Sequence, residues 1–239
     1  MSKKLILVGA GPGDPELISL KGVKALQQAD VVLYDALVHT DLLNHSEKAE
    51  KIYVGKRGGA HASSQDEINQ LIVHHALQNK LVVRLKGGDP FIFGRGQEEL
   101  EFAQQYDIET EVIPGISSAT GIPALHHIPL TRRGSNESVW ITTGTTSECK
   151  LSNDIEIAAQ SSATVVVLMG MSQLAKIIAL FRKLRGDKLP VAIIQNGSLD
   201  SEKSVTGTVA NIEQLVKDGN IKSPAIIVLG DVVGKTFKV

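Results

Sequence analysis

The residues with the clearest potential for chemistry lie in one glycine-rich stretch, Arg84 to Gly96, which reads RLKGGDPFIFGRG. Two adjacent glycines, Gly87 and Gly88, let backbone groups face a ligand directly. Asp89 can accept hydrogen bonds from hydroxyl groups or balance a cationic centre, and Phe91, Ile92 and Phe93 would supply apolar walls. In a chain with only 4% aromatic residues, this combination predicts a binding loop rather than a piece of the core.

A second set of candidates is basic. Lys56 and Arg57 stand on a glycine-flanked stretch that follows a strand-like run. Further cations occur at Arg84, Lys86, Arg95, Arg132 and Arg133. Because arginine pairs with carboxylates through two parallel hydrogen bonds, a concave surface lined by these residues would suit a substrate that carries several carboxylates.

A third candidate is the glycine turn from Gly9 to Pro15, GAGPGDP, at the end of the first strand-like run. One interpretation is a dinucleotide-binding fingerprint with Asp35 as the residue that binds the ribose. Two details disfavour a pyrophosphate: Asp14 stands where the third glycine belongs, and Pro12 has no backbone N–H. On these residues alone, a nucleotide-type cofactor and a glycine turn without a ligand both stay open.

Composition limits the function classes. The net charge of −1, from 25 basic and 26 acidic residues, gives no general attraction to nucleic acid, and no apolar run reaches the roughly 18 residues of a membrane span. The lone Cys149 excludes an internal disulfide, and the sequence has no His/Cys ligand spacing, so we predict no metal site. The N-terminus has no signal-peptide pattern, and we expect a cytoplasmic protein.

Strands and helices must position these candidates, and the first half of the chain alternates between the two. A helix is predicted at Gln65–Leu77, where Ser64 and Glu67 form a capping-box pattern. Strands are predicted for the short apolar, β-branched runs Leu5–Val8, Val31–Tyr34, Lys51–Val54, Leu81–Leu85 and Glu109–Ile113. This alternation favours a mostly parallel sheet covered by helices, with ligands at the carboxyl ends of the strands.

A second series of strands follows a segment that is rich in glycine and proline, which predicts a domain boundary. We place the first domain at residues 1–114 and the second at 115–239. The predicted strands of the second domain are Val139–Thr143, Thr164–Met169, Val191–Gln195, Val205–Thr208 and Ala225–Leu229. Because the last of these are closely spaced, a mixed sheet is expected there. The fold class is therefore two α/β domains.

Taken together, these motifs resemble the uroporphyrinogen-III C-methyltransferases of the tetrapyrrole methylase class. The glycine turn, the Tyr34-Asp35 pair, the Gly55-Lys56-Arg57 segment and the stretch from Arg84 to Gly96 occur in the same order and at similar spacings. The second half extends the match with Pro114 to Ser118, Ile128 to Thr131, Met169-Gly170 and Asn196-Gly197. The resemblance covers essentially the whole chain.

The resemblance implies an active site in the cleft between the two domains, a homodimer, and S-adenosylmethionine bound in a folded conformation unlike that of a dinucleotide enzyme. S-adenosylhomocysteine would be the cofactor's product. Cofactor contacts would fall on Pro12, Gly87, Gly88, Asp89, Ile92, Ser117, Ser118, Met169 and Gly197. Asp35 and Lys56 match positions proposed as acid and base, so that Asp35 is not expected to bind a ribose.

The activity implied is methylation of uroporphyrinogen III at C2 and C7 to precorrin-2, for sirohaem or cobalamin synthesis. The expected substrate-binding residues are Arg57, Arg84, Lys86, Arg95 and Arg132. A methylase of a later corrin precursor and a non-catalytic cofactor-binding protein are the alternatives. The chain departs from the family at Thr145, where relatives often have histidine, and at His126-His127. We expect no additional N-terminal domain of the kind found in bifunctional sirohaem synthases.

Overall fold

The chain folds into two compact units, Met1–Ser117 and Ser118–Val239. The computed structural model describes residues 3–55, 63–146, 148 and 150–235. Each unit is an α/β domain built on one five-stranded sheet. The sheet of the N-terminal unit is parallel and that of the C-terminal unit is mixed, which confirms the predicted fold class.

In the N-terminal unit every predicted strand is present, with ends that differ by one residue or less. The strands are β1 (Lys4–Gly9), β2 (Val31–Tyr34), β3 (Glu50–Tyr53), β4 (Leu81–Lys86) and β5 (Glu109–Ile113). The α-helices are α1 (Leu20–Gln28), α2 (Gln65–Leu77) and α3 (Gly96–Gln104), and short 3-10 helices span Pro15–Leu17 and Thr40–His45.

The parallel sheet has the strand order β3-β2-β4-β1-β5 and is covered on both faces. Side chains alternate across β1: Leu5 and Leu7 pack with α2 and α3, whereas Ile6 and Val8 pack with α1 on the other face. Strands buried on both faces need nearly continuous apolar sequence, which is why these runs were recognisable.

Helix α2 begins as predicted. The Ser64 hydroxyl accepts a hydrogen bond from the Glu67 N–H at 3.2 Å, and the Glu67 carboxylate accepts one from the Ser64 N–H at 2.6 Å. These two bonds satisfy backbone donors that the first helical turn leaves without partners, and such a cap typically contributes about 1 kcal/mol. The cap fixes where the chain enters α2 after the stretch that carries Lys56 and Arg57.

The C-terminal unit has the strand order β6-β7-β10-β8-β9, in which only the β6–β7 pair is parallel. Its strands are β6 (Val139–Thr143), β7 (Thr164–Leu168), β8 (Pro190–Gln195), β9 (Lys203–Thr208) and β10 (Ala225–Leu229). Its α-helices are α4 (Ser118–Leu125), α5 (Asp154–Gln160), α6 (Leu174–Arg185) and α7 (Ile212–Asp218). Phe181 of α6 is fully buried among aliphatic side chains on one face of the sheet.

Candidate active site

The strands β1 to β5 all end at one edge of the N-terminal sheet, because all five run parallel. The loops after β1 and β4, which are neighbours in the sheet, lead to helices on opposite faces. Adjacent strands whose connections diverge in this way open a crevice at their carboxyl ends, where ligands of open α/β sheets bind. The glycine turn and the stretch from Arg84 to Gly96 both lie at this point.

Four glycines bring these loops into backbone contact. Gly11 and Gly88 exchange hydrogen bonds, with the Gly88 N–H donating to the Gly11 carbonyl at 2.7 Å. A β-carbon built on Gly115 would collide with the Gly88 carbonyl and lie 2.6 Å from the Gly9 Cα atom. Since no side chain fits there, the glycines are required by the close approach of three loops as well as by any ligand.

Asp89 fixes the same arrangement. Its Oδ1 atom accepts a hydrogen bond from the Phe91 N–H at 2.8 Å, and its Oδ2 atom accepts one from the Gly115 N–H at 3.1 Å. The carboxylate therefore ties the loop after β4 to the loop after β5. A carboxylate has about four acceptor positions, so these two bonds leave acceptor capacity for a ligand.

The apolar residues of the loop after β4 are exposed. Phe91 is 50% exposed, and Ile92 and Phe93 are 39% and 45% exposed. Leu37, after β2, and Ile116, after β5, are exposed at the same edge of the sheet. The phenylalanines are therefore not part of the core, and they offer apolar surface beside the glycine backbone.

Arg84 and Lys86, expected on a basic surface, are buried instead. Side chains two residues apart on a strand face the same side, and both of these reach Glu99 of α3. The Lys86 Nζ atom is 2.9 Å from each Glu99 oxygen, and the Arg84 Nε atom is 3.2 Å from Oε1. Burial, and then the charge of Arg84, lower the pKa of Lys86 below its ordinary value, and Glu99 opposes this shift.

Asp35 lies at the end of β2, beside this cluster. Its Oδ1 atom accepts a hydrogen bond from the Leu37 N–H at 3.1 Å, and its Oδ2 atom is 3.5 Å from the Arg84 Nη2 atom. The side chain is 25% exposed, so a ligand can reach it. Asp35 thus combines an accessible carboxylate with a buried cationic partner.

The other predicted basic residues are scattered. Lys56 and Arg57 lie outside the described residues. Arg95 is exposed and paired with Glu98, its Nε atom lying 2.9 Å from the carboxylate; this pairing raises the pKa of Arg95 and lowers that of Glu98. Arg132 is exposed on a turn of the C-terminal unit. The structure therefore does not gather the expected cations into one surface within either unit's described residues.

The candidate cofactor residues of the C-terminal unit stand on tight turns. Met169, directly after β7, has a positive φ of 53° and a side chain 53% exposed, and its carbonyl accepts a hydrogen bond from the Thr145 hydroxyl at 2.9 Å. A β-carbon on Gly197 would lie 2.6 Å from the Ile122 side chain of α4. Ser118 is the first residue of that helix, and Ser117 before it is buried.

Sequence reasoning missed two of these contributors. Glu99 was not among the predicted site residues, although it lies on the buried stripe of α3 with Gly96, Leu100 and Ala103. That spacing of three and four residues is the signal that identifies it. Thr145 was noted only as a departure from relatives, and its contact with the Met169 carbonyl depends on two strands meeting in the fold.

Within residues 3–55, 63–146, 148 and 150–235, no group of three or more His, Cys, Asp or Glu side chains is placed to hold a metal ion. In the same part of the chain no helix has the length and apolarity needed to cross a membrane.

Residues 4–213 match the family described as Tetrapyrrole (Corrin/Porphyrin) Methylases. The chain belongs to this family. A uroporphyrinogen-III C-methyltransferase of Methanocaldococcus jannaschii is 46% identical over 236 residues, covering 98% of each chain. This tetrapyrrole methylase therefore matches a whole relative and not only one of its domains.

Solved structures of other tetrapyrrole methylases share the fold. A uroporphyrin-III C-methyl transferase from Thermus thermophilus complexed with S-adenyl homocysteine is 36% identical, with a TM-score of 0.83 over 97% of this chain and 99% of that one. A cobalt precorrin-4 methyltransferase of cobalamin biosynthesis is 28% identical, with a TM-score of 0.87 over 97% and 96%. The fold is thus common to methylases of different tetrapyrroles. Because the TM-scores to the two enzymes are similar, sequence identity distinguishes methylases of different substrates better than the TM-score does.

Proposed function

We propose that this protein is an S-adenosylmethionine-dependent uroporphyrinogen-III C-methyltransferase. It methylates C2 and C7 to give precorrin-2, which feeds sirohaem synthesis, cobalamin synthesis or both, and releases S-adenosylhomocysteine. The observation that carries the proposal is the 46% identity to the Methanocaldococcus jannaschii enzyme over 98% of both chains. The Thermus thermophilus relative complexed with S-adenyl homocysteine supports the cofactor.

The described loops fit such a cofactor. At Gly87 a β-carbon would lie 2.6 Å from the Leu37 Cβ atom, so the loop offers bare backbone there, and exposed Ile92 adds apolar surface. S-adenosylmethionine has an apolar adenine face, ribose hydroxyls and a zwitterionic end, which need these kinds of partner. The proposed contacts are Pro12, Gly87, Gly88, Asp89, Ile92, Ser117, Ser118, Met169 and Gly197.

Asp35 is the proposed acid–base residue. When bound, the cofactor supplies a methyl group on a sulfonium, and methylation of a ring carbon leaves positive charge on the substrate. The accessible Asp35 carboxylate would stabilise that charge and accept the proton whose loss restores the neutral ring. Lys56 is the second proposed residue, as a base or as an anchor for a substrate carboxylate.

The substrate carries carboxylates around its ring, and arginines are suited to hold them. Arg57, Arg95 and Arg132 keep this proposed role. The donors of Arg84 and Lys86 are directed to Glu99 and to neighbouring carbonyls, so these two side chains are not proposed to bind substrate carboxylates. Exposed apolar residues of the loops would exclude water from the reacting groups.

An anaerobic assay with uroporphyrinogen III and methyl-labelled S-adenosylmethionine, read by product mass, tests the proposal. A gain of two methyl groups is expected; bound cofactor without transfer would contradict it. Asp35→Asn should lower kcat by about 100-fold, the range typical of general acid–base residues. Asp41→Asn, an exposed aspartate of the following 3-10 helix, is the matched control and should keep wild-type turnover.

A second candidate is a methylase of a later corrin precursor, favoured by the TM-score of 0.87 to the cobalt precorrin-4 methyltransferase. The 28% identity to that enzyme, against 36% and 46% to the uroporphyrinogen enzymes, places it second. Methylation of a corrin precursor but not of uroporphyrinogen III in the same assay would make the later-corrin methylase the first candidate.

Three further features are part of the proposal. The protein acts in the cytoplasm, it forms a homodimer, and its functional domains are residues 1–114 and 115–239. Light scattering during size-exclusion chromatography tests the dimer, which would appear as twice the chain mass of 25.6 kDa.

A further inference from the structure

Arg84, Lys86 and Glu99 form a charged cluster inside the N-terminal unit. Their exposed fractions are 3%, 4% and 1%. Burying ions is unfavourable unless each is paired and hydrogen-bonded, so such clusters persist where the structure or the chemistry requires them. Replacing buried ion pairs by apolar residues of similar volume is often neutral or stabilising, so the cluster calls for a specific explanation.

The positive charge of Arg84 and Lys86 is not fully balanced by Glu99. Glu99 supplies one carboxylate to two cations: it accepts two hydrogen bonds from Lys86, at 2.9 Å each, and one from Arg84 at 3.2 Å. One positive charge is left over. Asp35 supplies the second carboxylate, 3.5 Å from the Arg84 Nη2 atom, and with it the set of four side chains is neutral.

Arg84 is held from several sides. Its Nη1 atom donates to the carbonyls of Leu33 and Leu85, at 3.4 and 3.0 Å, while its Nε atom donates to Glu99. The guanidinium is planar and rigid, so fixing Nε and Nη1 also fixes the direction of Nη2. Nη2 is the group that faces Asp35.

Gln65 extends the cluster to the first residue of α2. Its Nε2 atom donates to Glu99 at 3.3 Å and to Asn69 at 3.1 Å. Glu99 therefore connects three elements of the fold, namely α2, α3 and β4. Arg84 contacts both Glu99 and Asp35 and so links the two carboxylates.

We propose that Glu99 is a positioning residue that acts through Arg84 to orient the Asp35 carboxylate and hold it accessible. Arg84 and Lys86 support the site from within instead of binding substrate carboxylates. This proposal rests on the function proposed above, in which Asp35 serves the methyl transfer.

Two substitutions of Glu99 separate charge from packing. Glu99→Gln keeps the size and removes the charge, whereas Glu99→Asp keeps the charge and shortens the side chain. If balanced charge orients Asp35, Glu99→Gln lowers kcat at least tenfold, Glu99→Asp lowers it less, and both keep the KM for S-adenosylmethionine within twofold. Glu101→Gln, on the exposed face of the same helix, is the matched control, and its kcat should equal that of the wild type.

Arg84→Met covers the case in which the Glu99 variants fail to fold, because it leaves Lys86 and Glu99 as a balanced pair. A positioning role predicts a fall in kcat with the KM for uroporphyrinogen III within threefold. A rise in that KM at unchanged kcat would instead make Arg84 a substrate anchor and overturn the proposal. It is also overturned if Glu99→Gln keeps kcat within twofold of wild type, or retains more activity than Glu99→Asp.

A readout without substrate distinguishes this proposal from the proposed function. The ¹³C signal of the Asp35 carboxyl carbon, assigned by its loss in Asp35→Asn, should move in Glu99→Gln and stay in place in Glu101→Gln. If the wild type fails to methylate uroporphyrinogen III but the Asp35 signal moves in Glu99→Gln, the proposed function is contradicted and the positioning role is supported. An unmoved signal contradicts the positioning, whatever the wild type methylates.

Discussion

The two units share an architecture but differ in what they bury. The N-terminal unit encloses three charged side chains, Arg84, Lys86 and Glu99, on the face of its sheet covered by α2 and α3. Among the described residues of the C-terminal unit, the buried polar side chains are the uncharged Asn136, Thr142 and Thr164. A five-stranded α/β domain therefore does not need buried ions, and their presence in one unit points to the carboxylate of Asp35 that they adjoin.

In another respect the units are alike. Gly9, Gly88 and Gly115 bring loops together in the N-terminal unit, and a β-carbon on Gly144 would collide with Gly170 in the C-terminal unit. In both, the glycines follow the carboxyl ends of neighbouring strands. Close backbone contact of loops is thus common to both units, whereas among the described residues buried charged side chains occur in the N-terminal unit alone.

The largest effect is expected from the apolar core of the C-terminal unit. Phe181→Ala leaves a cavity at a fully buried position and should lower the free energy of unfolding by about 4 kcal/mol, equally at low and high salt because no charge is involved. Urea unfolding followed by fluorescence of the single tryptophan, Trp140 of β6, measures this unit.

The matched control at that position is Phe181→Leu, which keeps most of the volume and should lower the free energy by about 1 kcal/mol. Apolar packing would not be what stabilises the C-terminal unit if Phe181→Ala lowered the free energy of unfolding less than Phe181→Leu does. The same conclusion would follow if the destabilisation by Phe181→Ala changed with salt.

An intermediate effect is expected at the glycine contact of the N-terminal unit. Gly115→Ala forces a methyl group onto the Gly88 carbonyl and should lower the free energy of unfolding by about 2 kcal/mol. Hydrogen exchange of β1 and β4 would rise, and binding of S-adenosylhomocysteine, measured by calorimetry, would weaken.

Gly234→Ala is the control for that substitution, since its β-carbon would lie 3.4 Å from the nearest atom, the Pro190 Cγ, which is ordinary contact. It should change the free energy by less than about 0.5 kcal/mol. Equal destabilisation by the two variants would mean that the close approach of the loops is not what requires glycine.

The smallest effect concerns charges that are partly exposed. Lys21, followed by Lys4, lowers the pKa of Glu111 below its ordinary value of 4.5. The stabilisation is therefore present above pH 4.5 and is lost as the pH falls through the lowered pKa. We expect less than about 1 kcal/mol, because exposed pairs are screened by solvent.

Unfolding free energies measured from pH 6 down to pH 3 for wild type and Glu111→Gln would show this contribution, since the variant should have a flatter curve in that range. Glu137→Gln, at an exposed position of the other unit, should keep the wild-type slope. A wild-type slope in Glu111→Gln would show that these lysines do not stabilise the folded state.

The sequence alone determined the elements and the family. Apolar, β-branched runs marked all ten strands in the described residues, and the Ser64–Glu67 pattern marked the start of α2. Strand propensity and the capping of a helix depend on residues close together in the chain. The motif order identified the tetrapyrrole methylases, as the match over residues 4–213 confirms.

Only the tertiary structure decided how individual polar residues are used. From the sequence, Arg84 and Lys86 were grouped with surface cations, yet Glu99, 15 and 13 positions further along, takes up their donors. Asp89 was expected to face a ligand, and two of its acceptor positions fasten loops together. Whether a charge is buried or exposed depends on how α3 packs on β4, a contact between distant segments that local spacing does not encode.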